Sequence, residues 1–191
     1  SSNCVITMGL IPLYFNLLEH SLAEAAETSI CPILPCDTIT VPGGYLKPRI
    51  VRGAVPLTEP ISYVTTIIEK LEPYKTDTIT IPVARLNYTV TVNCQKLLGM
   101  LDNEVGYPLQ QISSKLVDDD KDECRIFDAL TAVRAFNACI NSSSPYETRA
   151  QPENYIPLKD RGNGAHERLM AALEGLDIAP SKKSNAVTVY M

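Results

Sequence analysis

Histidine is scarce in this chain, with only His20 and His166 among 191 residues. Imidazole is the side chain that most readily exchanges protons near neutrality, so general acid–base chemistry has little to draw on. Charge is sparse as well: charged residues make up 20 % of the chain, below the usual quarter or so. The 17 basic residues are scattered, with no cluster denser than Lys182-Lys183, and the formal net charge is −5. Phosphate binding needs a concentrated basic face, so nucleic acid is not expected as the main ligand.

Long apolar runs are also missing. The longest, Gly9 to Leu18 around Pro12, is interrupted by Tyr14 and Asn16 and lacks the basic flank and small-residue cleavage pattern of a signal peptide. No membrane span is expected. The sequence opens on Ser1-Ser2 rather than methionine, which reads as a processed product or a fragment and leaves an upstream targeting segment open. Neither a Gly-x-Ser-x-Gly elbow, a dinucleotide fingerprint nor a phosphate-binding loop is found, and no catalytic residue, metal ligand or cofactor is nominated.

Hydrophobic residues, by contrast, reach 45 %. That is enough for one globular domain over residues 1–191, and low surface charge suits a protein that packs against a partner. The pattern predicts an α+β fold, with a small, mainly antiparallel sheet packed with helices. Helical spacing predicts helices near 10–27, 60–72, 120–140 and 164–176. In the first, the apolar stripe is read as Leu13, Leu17, Leu18, Leu22 and Ala25, with Pro12 near its start. In the second, Ile61, Val64, Ile68 and Leu71 recur at helical spacing up to Pro73, although β-branched residues make a strand the competing assignment. In the third, Ile126, Phe127, Leu130, Val133 and Ile140 form the stripe.

"CQKLLGML" and "PLQQISSKLV" read as short helices. Strands are predicted near 37–41, 45–52, 77–81 and 85–93 from alternation of polar and apolar residues. "CDTITVPGG" at 36–44 returns almost unchanged as "TDTITIPVA" at 76–84. The similarity fades in the flanks and no third copy follows, so the pair is two strands with one physical solution rather than a repeat array. Ile39 and Ile79 should enter one core, with Thr38, Thr40, Thr78 and Thr80 outside. Residues 141–163 keep no period and form an irregular arm, and 177–191 a short tail with a last strand in "NAVTVYM".

Six cysteines are present, at 4, 31, 36, 94, 124 and 139. The prolines in "CPILPC" favour extended backbone, which separates Cys31 from Cys36 by about 15 Å. A disulfide needs less than about 7 Å. Buried structural thiols are the first reading, with distant disulfides, metal or redox chemistry as alternatives. The acidic run at 118–123 lacks the glycine and terminal glutamate of a calcium loop and reads as the charged start of a helix. His20 reads as a surface residue. His166 opens a helix after Gly162 and Gly164, but no second histidine follows one turn on, and a weak anion site with Arg161 is the other reading of that loop. Asn87-Tyr88-Thr89 and Asn141-Ser142-Ser143 match the glycosylation acceptor pattern.

Taken together, these features favour a structural or protein–protein interaction subunit of a larger assembly. Its partners would be protein, either copies of itself or a larger structural component, and a viral coat or virion-associated setting is one such assembly; the location would then be virion or cytoplasm. Tyr146, Tyr155, Ile156 and Leu158 in the arm are the expected partner contacts, because aromatic and large apolar residues dominate contact energies. Two alternatives stand beside it: a small cysteine-dependent hydrolase or other enzyme using His166, and a secreted, disulfide-containing binding module.

Overall fold

The computed structural model describes residues 5–27, 57–83, 88–112, 120–141, 164–180 and 186–189. The expected strands at 37–41 and 45–52, the arm residues Tyr146, Tyr155, Ile156 and Leu158, the 31–36 cysteine pair, and Asn87 lie outside them.

β1 (Val5–Met8) passes through a turn at Gly9-Leu10 into α1 (Ile11–Glu27). Pro12 sits in the first turn of α1, where a missing amide costs no helical hydrogen bond. The buried stripe of α1 is Ile11, Phe15, Leu18, Leu22 and Ala25, spaced alternately four and three apart. This corrects the stripe read from spacing, because Leu13 and Leu17 point outward. A helix apolar over more than half its circumference does not reveal by spacing which face is buried. Here the face carrying Ile11 and Phe15 wins.

α2 (Thr58–Leu71) is a helix despite its β-branched residues, with Pro60, Val64, Ile67 and Leu71 buried. Propensity penalties of a few tenths of a kcal/mol per residue are small beside the burial of that face. A 3-10 turn at Glu72–Tyr74, containing Pro73, ends it.

β2 (Thr78–Val83) and β3 (Tyr88–Asn93) form the predicted antiparallel pair, with Ile79 opposite Val92 and Ile81 opposite Val90. Among the described residues the sheet runs in the order β4-β3-β2-β1-β5. β4 (Ala179–Pro180) lies antiparallel to β3. β1 lies parallel to β2 on one side and to β5 (Ala186–Val189) on the other. The α+β class therefore holds, antiparallel register pairs outnumber parallel ones, and the segment read as a tail supplies both outermost strands.

Ile79, Ile81, Val83, Val90 and Val92 are buried on one sheet face. On the other, Thr80 stands in register with Thr7 of β1 and Thr91 of β3, and Thr7 in turn with Thr188 of β5. Thr78 is exposed as expected, but Thr80 is not. It is only 2 % exposed, and its hydroxyl has no hydrogen-bond partner among the described residues. Alternation placed Thr80 on the outer face, and that face is covered at the sheet's centre. A buried unsatisfied hydroxyl costs free energy that a methyl group does not. Thr80→Val is therefore expected to stabilise the fold by about 1 kcal/mol, read as a higher denaturant midpoint at unchanged slope.

The chain from 94 to 112 is one helical rod in three pieces: α3 (Cys94–Met100), a π-helical turn (Leu101–Gly106) and α4 (Tyr107–Ile112). Asn93 caps it, accepting a 3.1 Å hydrogen bond from the Lys96 amide. Leu97, Leu101, Val105 and Leu109 are all buried although spaced four apart. On an ideal α-helix that spacing drifts by about 40° per step. The wider π turn absorbs the drift and keeps the four side chains on the core side. Gly106 lies where the rod meets α2; a Cβ there would sit 3.5 Å from a Val64 methyl.

α5 (Asp120–Asn141) begins inside the acidic run, as expected of a helix start, and its stripe residues Ile126, Phe127, Leu130, Val133 and Ile140 are all buried. So are Ala129, Ala132, Ala135, Phe136 and Cys139. It is a central helix enclosed on most sides, with a thin exposed strip at Arg134, Ala138 and Asn141. Its largest helix contact is with α1, and it also touches the π turn, α4 and α6 (Ala165–Gly175). Asp177, in the left-handed region at φ 51°, ends α6 and turns the chain into β4.

Candidate functional site

Among the described residues, three groups of titratable side chains bear on the chemistry expected from the sequence. On α1, His20 Nε2 lies 3.1 Å from Glu24 Oε1, one turn on, and both side chains are exposed, which matches the surface reading of His20. At the start of α6, Gly164 takes φ 75° as the residue before the helix, with no side chain capping the first turn. His166 follows with its side chain 13 % exposed and its Nδ1 3.8 Å from Glu167 Oε1. Arg168 folds back over Gly164, with Nη1 3.7 Å from where a Cβ would stand. Its Nε lies 3.8 Å from Glu104 Oε1, on the π turn.

Glu104 is 16 % exposed, and burial raises its pKa, with the Arg168 cation opposing the shift. Arg168 at this helix start faces a carboxylate, whereas Arg161 and Gly162 of the expected anion loop lie outside the described residues. A folded-state pKa above the unfolded value contributes stability that is present at acid pH and lost as pH rises through the folded pKa. Glu104→Gln should remove that dependence. Urea unfolding at acid and at neutral pH is expected to show a smaller loss of stability on going to neutral pH in the variant than in the wild type.

The thiols give a chemical answer. Cys94 and Cys139 are both buried, in line with structural thiols. Cys94 Sγ lies 3.6 Å from the Leu71 carbonyl, and its pKa is pushed up to about 11 by burial and then by the nearby charges of Asp77 and Glu72. Only the thiolate attacks an electrophile, so Cys94 is set up against nucleophilic chemistry. Among the described residues no group of three or more His, Cys, Asp or Glu side chains could hold a metal ion. Nor is any described helix long and apolar enough to cross a membrane.

Among the described residues, the exposed large apolar side chains are Tyr107 on α4 and two leucines on the outer face of α1. Leu13 is 52 % exposed and Leu17 36 %. They stand one turn apart, on the side of the helix opposite Ile11, Phe15 and Leu22, with Asn16, His20 and Glu24 also exposed nearby. A single exposed leucine is ordinary, whereas two on adjacent turns make a small apolar patch with a polar margin. Sequence reasoning assigned both to the core. A usable signal was there: Leu13 and Leu17 share a helical face with His20 and Glu24, and a core stripe would not.

Comparison of the chain with known protein families, curated proteins and solved structures finds no match.

Proposed function

We propose that this chain is a protein–protein interaction subunit that assembles with copies of itself, using the outer face of α1 as a contact. The observation that carries this reading is the exposed Leu13–Leu17 pair on a helix whose opposite face is anchored in the core. Such a patch is rigidly presented, so little ordering entropy is lost when it docks. The low charge of the chain supports an interaction role, and the raised pKa of Cys94 speaks against that one thiol as a nucleophile. A coat or virion shell is one assembly of this kind. Tyr146, Tyr155, Ile156 and Leu158 are proposed as further anchors from the arm.

The test is native mass at several concentrations for the wild type and for a Leu13→Lys, Leu17→Lys double variant. Larger species are expected in the wild type and should shift to higher concentration in the variant. Unfolding free energies, measured where both are monomeric, should agree within about 0.5 kcal/mol, because exposed positions contribute little to folding. An unchanged distribution of masses in the variant would remove α1 from the interface.

A further inference from the structure

We propose that the outer edge of β5 is a strand-addition site that pairs with β5 of a second copy of this chain, antiparallel about a two-fold axis. The sheet would then continue from one subunit into the next. This rests on the assembly reading above for the existence of a partner, and on the sheet for where that partner binds.

The two outermost strands among the described residues differ in kind. β4 is two residues long and its second residue is Pro180, which has no amide hydrogen to offer. Short length and proline are the devices by which natural sheets blunt an edge. β5 has neither. It runs Ala-Val-Thr-Val with no charge and no proline, and it pairs with β1 at all four positions on its inner side. In a strand so paired, alternate amides and carbonyls point away from the neighbour. Among the described residues, no strand takes up that outer row.

An extended backbone is the group that satisfies such a row, through main-chain hydrogen bonds. The sequence of β5 points to itself as the partner strand. It is rich in β-branched residues, and two uncharged copies meet without opposed like charges. Closure selects the direction: antiparallel pairing about a two-fold axis gives a dimer rather than an open fibre.

The experiment uses the intact chain. Hydrogen exchange at residues 186–189 is followed at low and high protein concentration alongside native mass, with Val187→Lys and Thr188→Lys as variants and far-UV circular dichroism as the check on folding. The expected result is a dimer in which exchange at β5 slows as concentration rises, and which each lysine moves to about tenfold higher concentration. Protection of β5 that does not change with concentration would mean that the chain covers this edge itself, and overturns the proposal. A dimer that survives both lysine variants but is lost in the Leu13→Lys, Leu17→Lys variant also overturns it, while leaving the assembly reading standing. A single monomeric mass at every concentration removes both.

Discussion

Replacing Phe136 by alanine is expected to destabilise the fold by about 3–5 kcal/mol, the largest effect of any single truncation considered, and to lower the melting temperature by roughly 6–20 °C. Phe136 is fully buried on α5 and stacks against Phe15 of α1, with ring centroids 4.4 Å apart and planes tilted by 42°. This pair lies where the two helices meet, which is the largest helix–helix contact in the described structure. Truncation removes the transfer free energy of a large side chain and leaves a cavity between two helices that are each held elsewhere, so collapse around it is limited. The tilted ring pair contributes about 1 kcal/mol beyond its buried area. Phe136→Leu keeps much of the volume and should cost clearly less. A Phe136→Ala variant within 1 kcal/mol of the wild type, about the loss expected at an unremarkable site, would mean that the α1–α5 contact is not the centre of the core.

Asn137→Ala is expected to cost about 2 kcal/mol, a large figure for a side chain with no apolar surface to lose. Asn137 is 6 % exposed on α5, and its Nδ2 reaches two groups of α1: the Glu19 carboxylate at 2.8 Å and the Phe15 carbonyl at 3.4 Å. Arg134, one turn earlier, places Nε 4.0 Å from the other Glu19 oxygen. The amide thus satisfies a partly buried carboxylate, and hydrogen bonds to charged groups are stronger than neutral ones. Asn137→Asp keeps the shape but sets one carboxylate against another. Near neutral pH it should destabilise more than alanine does, and acidification should shrink the difference by neutralising the pair. Chemical denaturation of both variants at two pH values measures this. If aspartate proved no worse than alanine at neutral pH, the bridge to Glu19 would not exist in solution.

The two results address different things. The phenylalanine pair supplies stability, while the asparagine bridge fixes how α1 is rotated and slid against α5. That rotation determines which leucines are left outside, so the proposed contact face depends on a polar residue buried behind it.

Several elements were legible in the sequence. Four helices were placed within a few residues, because their apolar residues recur at three and four over more than three turns and their ends carry Pro73, the acidic run or Gly164. β2 and β3 were legible because Val90 and Val92 alternate with Thr89 and Thr91. β1 was not, because its four residues run directly into an apolar helix with no change of composition. β4 was not, because two residues carry no period. The burial of Leu13 and Leu17 was misread for a related reason. Leu13 and Leu17 have the same composition as Leu18 and Leu22, and only the docking of α1 separates them.

By itself the sequence determined the local chemistry: which segments are helical or extended, the scarcity of imidazole and of clustered cations, and the lack of an apolar run long enough to span a membrane. These follow from near-neighbour periodicity and from composition, which need no knowledge of what lies across the core. Only the tertiary structure decided that Thr80 is covered, that Leu13 and Leu17 are not, that the Cys94 thiol lies buried against the Leu71 carbonyl, and that β5 is an outermost strand among the described residues. Each of these depends on contacts between segments far apart in the chain, and such contacts are set by how whole faces pack rather than by any local spacing.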